Sequence, residues 1–198
     1  IEKYKNGLEY ANSPYAIDTL GSVLAFSFDV YAKVRGFPQK RLAGEDFYFL
    51  NKALKVTSVV PSKISHITLS GRFSLRVPFG TGCNSKKILQ NFLLSNGFKS
   101  YEHYSFFYLK LFLWRARKSC QQKQQLLYEN KYDFVSSFES NDIVFSRLVE
   151  FRNLEKRLLI SLCSSSCPLA RLKHFNDWFD AFETLKFINL SDTLLRNS

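Results

Sequence analysis

The sequence has no methionine and only four cysteines, Cys83, Cys120, Cys163 and Cys167. No two of them form a Cys-x-x-Cys pair, and their scatter gives neither a disulfide framework nor a strong zinc signature. Cys163 and Cys167 with His174 can be drawn as metal ligands, but no metal ligand is assigned from them. Reduced thiols in a cytoplasmic protein are the expectation. Acid is scarce beside base, with 17 Asp and Glu against 28 Lys and Arg, a formal net charge of +11. Also missing is any apolar run approaching the ~20 residues of a membrane-spanning helix. The longest, Phe106 to Trp114, is interrupted by Lys110. The chain opens without the basic and apolar regions of a signal peptide. With Ile1 first and no Met, we expect a piece of a longer protein.

What is abundant is aromatic. Hydrophobic residues make up 45% of the chain, with 20 Phe and 10 Tyr, which is far from the low-hydrophobicity composition of disordered chains and allows a sizeable core. The basic surplus suits an anionic partner such as phosphates, nucleic acid or an acidic membrane surface.

The most informative stretch is Ala43-Gly44-Glu45-Asp46-Phe47-Tyr48-Phe49-Leu50. Phe47, Leu50 and Leu54 recur at helical spacing, and Gly44 can occupy the N-cap, which puts Glu45 and Asp46 in the first turn. Exposed backbone N–H groups and the helix dipole favour an ionised carboxylate there. Such an acid suits a general base when a substrate hydroxyl is within reach. Taken alone, the pair is also ordinary helix-starting chemistry.

In chain order, residues 1–20 read as polar and irregular. Ser22 to Phe26 reads as a short buried strand entered through Gly21. Ser27 then caps a helix from about Phe28 to Val34, with Phe26 and Tyr31 as a hydrophobic staple. Gly36 is expected at C′, and Phe37-Pro38 stops the helix. After a basic loop (Lys40, Arg41) comes the Glu45-Asp46 helix, to about Lys55. Ser58 to Val60 and Ile64 to Leu69 read as strands. They lead into Arg72, Arg76 and a Gly80-Thr81-Gly82 loop. From Lys86 onward the pattern is helical, over about 86–95, 101–128, 142–162 and 169–189. The last carries a core-facing stripe of Leu169, Leu172, Phe175, Phe179, Phe182 and Leu185. The expected architecture is an α/β piece over 1–85 with an incomplete mixed sheet, then an all-α region over 86–198.

The order strand, helix, Arg35-Gly36-Phe37-Pro38, Gly44-Glu45-Asp46 helix, strand, arginine pair and glycine loop resembles the C-terminal half of the catalytic domain of family-2 glycosyltransferases of the GT-A fold. Bacterial members of this kind carry a similar Ala-Gly-Glu-Asp-Phe-Tyr, Leu-Asn-Lys and Arg-x-Ser-x-Arg-Val-Pro-Phe-Gly-Thr-Gly pattern. The resemblance covers residues 15–85 and extends to Trp178-Phe179-Asp180-Ala181-Phe182. It implies an inverting transfer from a nucleotide-diphosphate sugar to an acceptor hydroxyl on a glycan or lipid-linked molecule. Asp46 would be the catalytic base, with Glu45 orienting it. Arg72 and Arg76 would contact the departing diphosphate, and the Gly80-Thr81-Gly82 backbone would approach the anion closely. Gly21 and Ser22 would lie on the acceptor side. The Asp-x-Asp metal motif of that family does not occur in these residues. The resemblance therefore implies a nucleotide-binding half N-terminal to Ile1, holding most ligands of a divalent Mg or Mn ion. His66 does not clearly match the register of the family's metal-ligating histidine.

Two non-catalytic readings compete. A basic module for nucleic acid would explain the charge, but Lys and Arg are spread along the chain and no RRM, KH or helix-turn-helix signature is present. Peripheral contact with an acidic membrane would use the aromatic run 104–114 and the Arg115, Arg117 and Lys118 that follow it. His103 and His174, in aromatic-rich helical segments, read as packing or surface residues.

Overall fold

The computed structural model describes residues 2–17, 23–39, 44–60, 85, 86, 88–90, 93, 100–121, 143–151 and 153–197. Its contacts divide the chain into two compact units, Ile1–Ala16 with Tyr101–Ser198, and Ile17–Ser100. The first twenty residues are therefore not all of one kind, because the N-terminal helix packs with the helices after residue 100.

In the larger unit the helices are α1 (Glu2–Tyr10), α4 (His103–Gln121), α5 (Ile143–Phe151), α6 (Leu154–Cys163), α7 (Pro168–Trp178) and α8 (Ala181–Arg196). Helix α4 lies at the centre and packs against α1, α6, α7 and α8. Its buried side holds Phe106, Leu109, Phe112, Leu113, Ala116 and Cys120, spaced at the three-and-four interval of a helical face. Phe112 is surrounded by other rings, with centroids 4.8 Å from Phe179, 5.7 Å from Phe187 and 6.0 Å from Phe175. Helix α1 closes on α4 through Leu8 and Tyr4. At Gly7 the approach is so close that a Cβ would stand 2.5 Å from the Phe106 ring.

Two long helices expected from the sequence are each divided. The helix over 142–162 breaks at Asn153, which adopts the left-handed conformation (φ +48°) that asparagine tolerates better than most residues. The helix over 169–189 breaks after Trp178. There Asp180 turns its side chain to accept from the N–H groups of Phe182 (3.0 Å) and Glu183 (3.2 Å), starting α8. Asp180-x-x-Glu183 is a capping-box pattern in the sequence that the continuous apolar stripe had hidden. Of that stripe, Phe175 and Phe179 are buried, whereas Leu169 is exposed. Pro168 occupies the first turn of α7, as its missing N–H favours. Behind it, the buried Arg171 guanidinium donates to the carbonyls of Cys120 and Ser166, both at 2.8 Å. That joins the end of α4 to the loop before α7.

In the smaller unit the described helices are α2 (Phe28–Lys33) and α3 (Glu45–Ala53). Ser27 caps α2 by accepting from the Val30 N–H (3.4 Å), and the expected Phe26–Tyr31 staple forms with the rings stacked 5.7 Å apart. The helix ends in a Schellman motif. The Arg35 N–H donates to Ala32 O (3.0 Å) and the Gly36 N–H to Tyr31 O (2.9 Å). The left-handed C′ residue is therefore Arg35 (φ +60°), and Gly36 (φ +68°) follows it at C″, one place later than the sequence suggested.

The expected sheet is overturned. Among the described residues there is no strand. Residues 24–26 run irregularly, with Phe26 drawn sideways onto Tyr31 and Phe49. Residues 58–60 are also irregular, and Val60 is exposed. A strand is stable only when a neighbour completes its ladder of hydrogen bonds, and neither segment has one among the described residues. The α/β reading and the GT-A resemblance that implied it are therefore corrected: the described chain is helical throughout its regular structure. The strand expected over 64–69 lies outside the described residues.

Candidate functional site

The sequence-derived acid sits where it was expected. Gly44 takes the left-handed conformation (φ +90°) at the N-cap of α3, and Glu45 and Asp46 form its first turn. One Asp46 carboxylate oxygen accepts from the Phe47 N–H at 2.8 Å. The other has no partner among the described residues, and no Lys or Arg described there pairs with either acid. Glu45 is exposed and Asp46 half-buried.

Aromatic packing holds this turn in place. Phe49, on the turn after Asp46, is 1% exposed and packs with Val34 and Ala53. The Phe37 ring stacks on Phe49 with centroids 4.4 Å apart, and Phe26 approaches it at 4.7 Å. The Lys52 ammonium reaches the Val34 carbonyl at 3.4 Å, adding a polar tie between α3 and the end of α2. The Arg35-Gly36-Phe37-Pro38 turn and the acid-bearing helix are thus neighbours, brought together by one ring stack.

The remaining predicted site residues lie outside the described residues. These are Gly21 and Ser22 on the acceptor side, Arg72 and Arg76, and Gly80, Thr81 and Gly82; the histidine weighed as a ligand, His66, lies outside the described residues too. Among the described residues no three His, Cys, Asp or Glu side chains converge as a metal site requires.

A second feature belongs to the larger unit. A groove of about 470 Å³ runs along α4, lined by Phe107, Lys110, Leu111, Trp114, Arg117 and Lys118, with Ala11 and Asn12 at its edge. Asn12 adopts a left-handed conformation (φ +54°) just past the end of α1, and its carbonyl accepts from the Arg117 guanidinium. Partial burial holds the Arg117 pKa below its usual value. The Lys110 ammonium stands 4.1 Å from the Tyr10 ring centroid, and that of Lys118 stands 5.2 Å from the Trp114 ring. The sequence had marked Arg115, Arg117 and Lys118 as the basic group. In the structure Arg115 turns toward the Phe145 ring (5.4 Å) and Lys110 joins the groove instead. The signal for that exchange was the helical period, since residues 107, 110, 114, 117 and 118 share a face and 115 does not.

Comparison with known protein families, with curated proteins and with solved structures finds no match. Among the described residues no helix is long and apolar enough to cross a membrane.

Proposed function

We propose that this chain supplies the acceptor side and the proton acceptor of an enzyme that moves a sugar from a nucleotide-diphosphate sugar to an acceptor hydroxyl. The reading rests on the ordered set of motifs from Gly36 to Gly82. What carries it is Asp46, standing in the first turn of α3 with one carboxylate oxygen unengaged and no paired cation among the described residues. In this mechanism that oxygen takes the proton of the acceptor hydroxyl as the hydroxyl oxygen attacks the anomeric carbon. The nucleoside diphosphate leaves from the opposite face, so the configuration inverts. Glu45 keeps the first turn acidic and orients its neighbour. Arg72, Arg76 and the Gly80-Thr81-Gly82 backbone are assigned to the leaving diphosphate, because guanidinium forks and close N–H groups match phosphate oxygens. Gly21 and Ser22 are assigned to the acceptor. The compartment we assign is the cytoplasm, peripheral to the inner membrane face.

The test is Asp46→Asn in the full-length gene product. Loss of a general base lowers turnover by roughly 100- to 10,000-fold, while binding of the nucleotide-sugar donor stays near normal. Unchanged turnover would remove Asp46 from the chemistry. A second reading has its own support: the basic, aromatic groove on α4 suits a non-catalytic module that docks on an anionic surface. That reading needs no carboxylate at position 46, and a chain with no transfer activity toward any nucleotide sugar favours it.

A further inference from the structure

The outward side of α4 carries an apolar stripe that the other described helices leave uncovered. Tyr104, Phe107 and Trp114 are 65%, 46% and 56% exposed. With the half-buried Leu111 they recur at intervals of three, four and three residues. This spacing keeps all four on one face, over an axial length of ~15 Å. The inner stripe of α4 already fills the core, so folding gives no reason to repeat large apolar side chains on the outside. A contiguous exposed patch of this kind marks a contact surface.

The charges beside the stripe identify what it contacts. From His103 to Gln121 the helix has no Asp or Glu, and Lys110, Arg117 and Lys118 line the same groove as Phe107, Leu111 and Trp114. Among the described residues no carboxylate pairs with any of these three cations. The Lys110 ammonium instead lies over the Tyr10 ring and the Lys118 ammonium over the Trp114 ring, so both cations stand on aromatic surface beside the stripe. We propose that this face of α4 lies in the plane of an anionic lipid bilayer surface. Trp114, Phe107 and Leu111 enter the boundary between headgroups and acyl chains, while Lys110, Arg117 and Lys118 meet lipid phosphates. Charge complementarity selects this occupant. A second copy docking on the same face across a two-fold axis would bring the same cations against each other. Nucleic acid would satisfy the cations but leave the aliphatic and phenyl part of the stripe against water. The surface is separate from the chemistry assigned to Asp46 and stands or falls without it.

The experiment uses the 198-residue chain with vesicles of phosphatidylcholine alone and of phosphatidylcholine mixed with phosphatidylglycerol. We expect co-sedimentation with the anionic vesicles only, weakening as salt rises. In a Trp178→Phe background, which leaves Trp114 as the sole tryptophan, its emission shifts to the blue on binding. Replacing Lys110 and Lys118 by Gln weakens partitioning roughly fivefold for each, and Trp114→Ala weakens it by roughly tenfold or more. Helical circular dichroism of each variant checks that it still folds. The proposal is overturned by no sedimentation with anionic vesicles at low salt, by equal partition into neutral vesicles, or by full binding in folded variants of both kinds. It is also overturned if nucleic acid displaces the vesicles and the same variants lose nucleic-acid binding.

Discussion

Ring clusters organise the described parts of both compact units, but the one at the core of the larger unit is enclosed and the one described in the smaller unit remains half open. Phe112, Phe175, Phe179 and Phe187 are all at most 2% exposed, sealed between α4, α7 and α8. Among the described residues of the smaller unit only Phe49 reaches that state, and its neighbours Phe26, Tyr31 and Phe37 each keep more than a third of their surface in contact with solvent. The difference follows from how many helices surround each cluster. A central helix with neighbours on several sides can close an apolar shell, whereas α2 and α3 cover Phe49 from few directions. The lesson is that the larger unit is built for stability. The described part of the smaller one holds a turn and an acid-bearing helix end together around one enclosed ring.

The largest effect that would sharpen this contrast is Phe112→Ala. Removing a ring enclosed by three others should cost ~3–5 kcal/mol, read by urea denaturation. Phe49→Ala should fall at or below the lower end of that range, because half-exposed neighbours can close over the space. Hydrogen exchange of the amides in 45–53 measures it, and an equal or larger loss would break the contrast. Next in size is Arg171→Met, which leaves the carbonyls of Cys120, Ser165 and Ser166 without their charged donor. Thermal denaturation should show a loss of about 2–3 kcal/mol. The caps come third. Asp180→Ala removes an acceptor shared by two N–H groups and should cost ~1 kcal/mol. Ser27→Ala, at a single 3.4 Å bond on the exposed α2, should cost less in the smaller unit.

The smallest effect on stability is expected at the thiols, where the contrast is one of reactivity. Burial pushes the Cys120 thiol up to about 11, an effect that nearby Arg171 only partly offsets. The exposed Cys167 is lowered, through the backbone N–H groups of Ala170 and Leu169 at the start of α7 and the charge of Arg171. Since the thiolate is the reactive form, a thiol reagent at neutral pH should label Cys167 well before Cys120. Labelling of Cys120 should wait for unfolding. Cys167→Ser should leave the melting temperature unchanged and abolish the fast phase, and a fast phase that persists would assign it elsewhere.

Much of the local structure was legible beforehand, and the pattern of success is informative. Ser27, Gly44 and Pro168 each start the helix they were expected to start, because a cap is made within four residues of itself. Of the candidate site, the first turn with Glu45 and Asp46 was readable for the same reason. The strand at Ser22–Phe26 was misread because a short apolar run looks the same whether it enters a ladder or, like Phe26, a ring stack. The helix α1 was missed because its apolar side is only Tyr4, Leu8 and Ala11, and its value comes from α4 more than ninety residues away.

The sequence by itself determined where α2, α3 and α7 begin, which carboxylates stand at a helix mouth, and that the chain is strongly basic and aromatic. These depend on neighbours in the chain and on composition. Only the tertiary structure decided that α1 belongs with the helices after residue 100, that Phe37 seats on Phe49, and that Lys110 replaces Arg115 in the groove along α4. Each of these is a choice between faces of an element, and a face is chosen only when a distant part of the chain arrives to cover it.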